Sequence, residues 1–148
     1  MHEIKSSRKA QNGSAIVEFA LVGTVMLLLF FGVADFSRLF YDSIEVVNAA
    51  AAGAHYGAFN SGALDSSNSA DSTGIINAAK AEAPELSGLT VNPTTVCQDD
   101  TGATALCSAS GAYKYVSVNT AYTFQTLLQY PLIPSSVTIS KTVMLRYQ

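Results

Sequence analysis

An apolar run over residues 13–34, GSAIVEFALVGTVMLLLFFGVA, most constrains what this chain can fold into. Its only charged residue is Glu18, near its beginning. The uninterrupted apolar part, Phe19–Ala34, has sixteen residues. These make about 24 Å of helix at about 1.5 Å per residue, whereas a membrane span needs about 20 residues. Including residues 15–17 makes the run long enough, and it brings Glu18 into the membrane. Because an ionisable group there costs about 2.5–3.5 kcal/mol, Glu18 is a functional residue by hypothesis.

Length and composition leave room for one modest domain beyond this segment. Of 148 residues, 13% are charged and 49% are hydrophobic, which fits a membrane-tethered chain. The net charge of −3 divides into +2 over residues 1–13 and −5 over the rest. Beyond the leader the basic residues are scattered, so the chain lacks the basic patch of a nucleic-acid-binding protein. By the positive-inside rule, the basic leader is expected to stay in the cytoplasm.

A secretory signal peptide begins in a similar way, with a basic region followed by an apolar one. The residues that follow the run here, 35–39 (DFSRL), do not form a small-x-small cleavage site. Glu18 would also be unusual inside the apolar part of a signal peptide. We therefore interpret the run as a membrane anchor that remains in the protein.

The helical pattern continues to about residue 58, so one helix is predicted over residues 14–58, transmembrane to about residue 34. Its apolar residues recur at steps of three and four on one face, which is expected to pack: Phe36, Phe40, Ile44, Val47, Ala51, Ala54 and Ala58. The opposite face is polar, and Asp35, Arg38 and Asp42 are spaced for solvated surface ion pairs. Small side chains near the end of the helix allow a sheet to pack close.

Residues 59–148 are predicted to form an extracytoplasmic α+β region. A loop over residues 60–73 leads to a short helix over Gly74–Ala83, capped by Ser72 or Thr73 and ended by Pro84.

Short strand candidates follow at residues 89–93 and 95–97, and longer ones at 113–124 and 137–147. Pro93 marks an edge strand or a bulge. The predicted fold is therefore α+β: a long N-terminal helix packed against a three- or four-stranded antiparallel sheet, with a short second helix.

Two cysteines, Cys97 and Cys107, bracket a turn-rich segment and are predicted to form a disulfide. Disulfides persist in oxidising compartments, which agrees with an extracytoplasmic domain. Two cysteines without a nearby histidine do not make a zinc site, and their spacing is not the C-x-x-C of redox enzymes.

Gly13 followed by Ser14, with Glu18 and Phe19 next in the pattern, resembles the processing site of type IV pilin-like proteins. More narrowly, residues 12–58 resemble the TadE-like family, the minor pseudopilins of tight-adherence (Tad or Flp) pilus systems. Both the AIVEFAL start and the Ala-rich end of the helix fit. His55 stands about where the family often has an arginine.

The resemblance implies that a prepilin peptidase cleaves after Gly13, so that residues 1–13 form a cytoplasmic leader. It also implies that Glu18 pairs with the new α-amino group of Ser14, on its own chain or a neighbour's, during assembly. The expected partners are the membrane, the peptidase and other pilin or pseudopilin subunits. We expect no cofactor, metal, nucleic acid or small-molecule substrate.

Other interpretations stay open. The chain could be an uncleaved bitopic membrane protein whose β-rich domain binds a ligand, with Glu18 reaching the headgroups alone. An extracytoplasmic enzyme has little support, because the histidines are His2 and His55 only. Asp99 and Asp100 offer too few oxygen ligands for calcium.

Overall fold

The computed structural model describes residues 7–60, 71–128 and 134–147, with side chains from residue 13 onwards. Helix α1 covers Ser7–Phe59 and helix α2 covers Ser72–Glu82. Strands β1, β2 and β3 cover Thr90–Gln98, Tyr113–Gln125 and Ser136–Arg146. Contacts divide the chain into two compact units, Met1–Arg38 and Leu39–Gln148, each described by itself below. The elements confirm the predicted α+β fold.

The first unit consists of the N-terminal part of α1, whose apolar side chains are exposed. Phe19, Leu29 and Phe30 are 79%, 62% and 67% exposed. The helix is long and apolar enough to cross a membrane. It begins at Ser7, seven residues before the predicted start, because the leader residues Arg8, Lys9, Ala10 and Gln11 all favour helix.

In the second unit, α1 and α2 supply helical side chains to one core shared with a single face of the sheet. The core residues that are at most 8% exposed include Val46, Ala49, Ala54, Ile75, Ala79, Leu86, Val91, Val116, Val118, Phe124 and Ile139. In the central strand β2, Val116, Val118, Thr120 and Phe124 are buried on the inward face, and the half-buried Tyr122 packs against the core from the same face. The residues that alternate with these five point the other way. This alternation was predicted for residues 113–124.

The predicted packing face of α1 was partly wrong. Ala54 and Ala58 are buried as expected, but Phe40, Ile44 and Val47 are 62%, 47% and 38% exposed. The buried face is instead lined by small residues and one valine: Val46, Ala49, Ala50, Gly53, Ala54, Gly57 and Ala58. The small side chains let the backbone of α1 approach the rest of the core closely. The large apolar side chains of the same helix remain exposed.

The surroundings of two glycines show how closely α1 packs against β2 and α2. A Cβ atom added at Gly57 would lie 2.6 Å from Cγ1 of Val116 and 3.0 Å from Cδ1 of Ile75. One added at Gly53 would lie 3.2 Å from Cβ of Ala79. Nearby, the buried hydroxyl of Thr120 donates to the main-chain carbonyl of Val46 at 2.9 Å, which joins β2 to the helix.

The sheet is antiparallel with the order β1-β2-β3. The pairing of β1 with β2 runs without a break from Thr90 opposite Ala121 to Gln98 opposite Tyr113. The two short strands predicted at residues 89–93 and 95–97 are therefore one strand. Pro93 lies in it as an edge-strand residue, which was one of the two predicted alternatives, and the continuous register rules out the bulge.

Helix α2 begins slightly earlier than predicted. Its N-cap is Asp71, whose carboxylate accepts a hydrogen bond from the amide of Gly74 at 3.1 Å. The predicted caps, Ser72 and Thr73, lie within the first turn, because aspartate at position 71 serves equally well. The helix ends before Pro84, as predicted. Most of the predicted loop, residues 61–70, lies outside the described residues.

The predicted disulfide between Cys97 and Cys107 is present, with Cα atoms 5.1 Å apart. Cys97 lies in β1, whereas Cys107 lies in the turn-rich segment before β2 rather than in a strand. The two cysteines lie ten positions apart in the sequence.

Replacing Gly57 by alanine tests the close packing of α1. The added methyl group overpacks a contact of 2.6 Å at a cost of about 1–3 kcal/mol, partly offset by about 0.5–1 kcal/mol of helix propensity. We expect the free energy of unfolding, measured by denaturant titration of the full chain in detergent, to fall by about 1–2 kcal/mol. The exposed Asn48→Ala serves as the control on the same helix, and equal behaviour of the two variants would contradict the packing argument.

Removal of the disulfide is expected to lower the free energy of unfolding by about 2–3 kcal/mol, because it releases a short closed loop in the unfolded chain. The measurement compares the Cys97→Ala/Cys107→Ala double variant with the parent under identical denaturant conditions. An unchanged unfolding midpoint would show that other contacts hold the segment.

Candidate functional site

Gly13 and Ser14 lie within α1, on an exposed part of the helix. A Cβ atom added at Gly13 would have no described atom within 4 Å beyond its own helix neighbourhood. The peptide bond between the two residues is thus open to an approaching protein on the glycine side. Glycine also leaves helical geometry more easily than alanine, by about 0.5–1 kcal/mol.

Glu18 follows Ser14 by four residues on the same continuous helix, and both are exposed. Residues at this spacing are neighbours on a helix surface. Phe19, also predicted to act in assembly, is the next residue and is 79% exposed. The structure therefore brings the four residues singled out at the N-terminus, 13, 14, 18 and 19, into two turns of one helix.

Cleavage between Gly13 and Ser14 would change the electrostatics of this segment. A new α-amino cation would arise at the helix N-terminus, where the helix dipole already favours negative charge. A carboxylate four residues along is placed to compensate that cation. That cation would also lower the free-energy cost of Glu18 in an apolar medium, since an ion pair is tolerated where a single charge is not.

The first charged side chains after the apolar run are Asp35 and Arg38. Arg38 donates from Nη1 to Oδ1 of Asp35 at 3.3 Å, the spacing predicted for an ion pair. The prediction of a solvated pair was wrong for Asp35, whose side chain is only 7% exposed, against 48% for Arg38.

Asp99 is satisfied within its own turn. Its Oδ1 accepts hydrogen bonds from the hydroxyl and amide of Thr101 and from the amide of Ala103, at 2.6, 2.9 and 2.9 Å. The hydrogen bond from the Thr101 side chain is the main reason why the pKa of Asp99 is lowered. This arrangement has the geometry of a structural Asx turn.

Tyr113 and His55 both have structural partners. Tyr113 lies under the guanidinium of Arg146, whose Cζ is 3.9 Å from the ring centroid. His55 packs against Phe59, with ring centroids 4.5 Å apart. Among the residues that the structure describes, no group of three histidine, cysteine or acidic side chains is placed to hold a metal ion.

The family model described as "TadE-like protein" matches residues 13–55. The matched segment begins at Gly13, includes the whole apolar run and ends near the Ala-rich close of α1, and it confirms the resemblance seen in the sequence. No curated protein and no solved structure matches the chain.

Proposed function

Because residues 13–55 match the TadE-like family, we propose that this chain is a prepilin-like minor pseudopilin, processed after Gly13 and incorporated into the assembly of a Tad or Flp type pilus. One observation carries the proposal: the matched segment is a continuous helix with an exposed apolar surface, and it presents Gly13, Ser14 and Glu18 together. The role requires helix packing and no catalysis.

In the proposed topology the chain crosses the cytoplasmic membrane once. The basic leader, residues 1–13, lies in the cytoplasm, and the second unit lies outside. The excess of Lys and Arg before the apolar run supports this orientation. The disulfide supports it independently, because cysteine pairs persist in an oxidising compartment.

Processing requires local unwinding of α1. The helix extends back to Ser7, so the bond after Gly13 is helical in the uncleaved chain. A peptidase generally needs extended backbone at the bond it cleaves, and a glycine at that position makes the opening cheaper. Gly13 thus leaves the bond accessible to the peptidase and lowers the cost of unwinding the helix around it.

After cleavage, Glu18 is proposed to pair with the α-amino group of Ser14 on its own chain or on a neighbouring subunit. An unpaired carboxylate in lipid is costly in free energy. Association with a subunit whose α-amino group pairs with Glu18 is therefore favoured over association with one that offers no such partner. The pairing would set the axial register between adjacent helices.

Replacement of Gly13 by leucine tests the processing step. We expect the native N-terminus to be Ser14, and we expect Gly13→Leu to keep the leader because its side chain obstructs the bond and favours helix. Intact mass and N-terminal sequencing of protein from the native host give the answer. Gly23→Leu is the matched control, since an added Cβ at Gly23 also meets no described atom within 4 Å.

A parent protein that keeps its leader would overturn the proposal and favour the uncleaved bitopic membrane protein. An N-terminus after Ala34 would instead indicate a secreted protein. Loss of cleavage in both glycine variants would show that helix propensity in general, and not the residue before the bond, controls processing.

Glu18→Gln tests the assembly step. The amide has nearly the same shape as the carboxylate but no charge, so cleavage should continue while a pairing worth roughly 1.4 kcal/mol disappears. We expect about tenfold less protein in sheared pilus fractions, with an unchanged Ser14 N-terminus. Glu18→Asp should recover part of the incorporation, and full incorporation of Glu18→Gln would contradict the pairing.

A further inference from the structure

The hairpin formed by β2 and β3 extends past the third strand of the sheet. Strand β1 starts at Thr90, opposite Ala121, whereas β2 and β3 stay paired for four more residues, to Gln125 opposite Ser136. At about 3.4 Å per residue, the two strands project by about 14 Å. We call residues 122–128 and 134–139 the hairpin overhang. Near its tip three apolar side chains are 56%, 40% and 38% exposed: Leu127, Leu128 and Val137.

The hairpin overhang carries no charged residue. Residues 115–140 include no aspartate, glutamate, lysine, arginine or histidine. The same unit does have acidic groups on its helix side, where a hydrogen bond with Glu45 and the charges of Glu85 and Asp42 raise the pKa of Tyr41. These carboxylates therefore lie around α1 and not on the projecting strands. The overhang can approach a weakly polar surface without removing an ionised side chain from water, which would be costly.

Two contacts of α1 show which end of the second unit the hairpin overhang occupies. The Thr120 hydroxyl donates to the carbonyl of Val46, and a Cβ atom added at Gly57 would lie 2.6 Å from Val116. The helix therefore advances from Val46 to Gly57 as β2 is followed backwards, from Thr120 to Val116. These stretches have similar lengths, about 17 Å of helix and about 14 Å of strand, so α1 and β2 are close to antiparallel. The overhang thus lies at the end where α1 enters the unit, at Leu39.

The hairpin overhang reaches at least as far in this direction as Leu39. Between Val46 and Leu39 the helix rises about 10 Å, whereas β2 continues for about 17 Å from Thr120 to Gln125. Leu39 is five positions after Ala34, the last residue of the apolar run. Even fully extended, five residues span at most about 18 Å. The chain itself therefore keeps this end of the second unit close to the end of the apolar run.

The side chains of the hairpin overhang suit the surface of a bilayer and not its hydrocarbon interior. Polar uncharged residues accompany the apolar ones, and Thr123, Gln125 and Ser136 are exposed. Hydroxyl and amide groups are costly to bury in hydrocarbon, but they find hydrogen-bond partners among headgroups and the water there. Leucine side chains gain free energy when they leave water. A strand tip that presents both kinds of side chain therefore fits the headgroup region.

We propose that the leucine tip of the hairpin overhang lies in the headgroup region of the membrane that the apolar run crosses. The membrane is the surface that the chain's own anchor brings to this end of the unit, and an uncharged, partly apolar tip is complementary to it. The inference rests on the proposed membrane crossing and does not depend on processing after Gly13. It goes beyond the proposed function by giving the second unit a lipid contact of its own.

Tryptophan fluorescence tests this contact without background, because the chain has no tryptophan. Leu128→Trp places the probe at the tip, and Val137→Trp is a second probe on the other strand, which decides if the first variant does not fold. Leu106→Trp is the control in the loop between β1 and β2, at the opposite end of the sheet. Leu106 is 77% exposed, so accessibility alone would favour lipid contact there. Leu29→Trp, within the apolar run, reports whether the chain crosses the bilayer.

Each full-length variant is reconstituted in vesicles of phosphatidylcholine and phosphatidylglycerol, with or without bromine atoms near the headgroup end of the acyl chains. Bromine quenches tryptophan fluorescence at close range. We expect quenching of Leu128→Trp to be at least about threefold stronger than that of Leu106→Trp, since the first probe lies at the membrane interface and the second in water. Leu127→Asp added to Leu128→Trp should reduce the quenching to the Leu106→Trp level, because a carboxylate keeps the tip in water.

Equal quenching of Leu128→Trp and Leu106→Trp, with strong quenching of Leu29→Trp, would overturn the lipid contact and leave the membrane crossing intact. Quenching of Leu128→Trp that persists with Leu127→Asp would also overturn it, because the indole alone would then draw the tip to lipid. An unquenched, blue-shifted Leu128→Trp emission that shifts to the red as protein is diluted in lipid would show that a second copy covers the tip. Absence of quenching in Leu29→Trp would refute the membrane crossing and the inference with it, whereas processing is read separately from the N-terminus in the native host.

Discussion

The close approach of α1 to Ile75 and Val116 at Gly57 is the contact on which the second unit depends. With no side chain at residue 57, a valine of the central strand and an isoleucine of α2 come within reach of the helix backbone. The small residues on either side extend this contact, and the Thr120 hydroxyl joins it to the carbonyl of Val46. The main apolar core forms around this point, so its geometry decides which other side chains of α1 are left exposed.

This dependence explains where sequence reasoning succeeded. The long helix, the strand at residues 113–124 and the disulfide each follow from local signals, namely apolar length, alternation and a bracketed turn. The TadE-like segment was likewise visible as a short motif, and the family model matches it over residues 13–55. The buried face of α1 was not visible in the sequence. Apolar periodicity favours the large residues Phe40 and Ile44 as packing residues, whereas close packing against a sheet requires small ones such as Gly53 and Gly57. The apolar positions and the small-residue positions of α1 overlap, and the tertiary contact with the sheet and α2 determines which of them is buried.

Each edge strand of the sheet carries a residue that opposes the pairing of a further strand. Pro93 lacks an amide hydrogen in the edge strand β1. Lys141 lies at the middle of the other edge strand, β3, opposite Thr120. A proline and a central lysine are features that discourage an additional strand from pairing. Association of a further strand with either edge of the sheet is therefore disfavoured.

One helix thus meets three environments in turn, and the side chains differ accordingly. Around residues 19–34 it is apolar on every side, as a lipid surface requires. From Phe40 to Ala51 it divides into small packed residues and larger exposed ones, and only the small ones suit its own sheet. By Ala54 and Ala58 the two sets merge in the core.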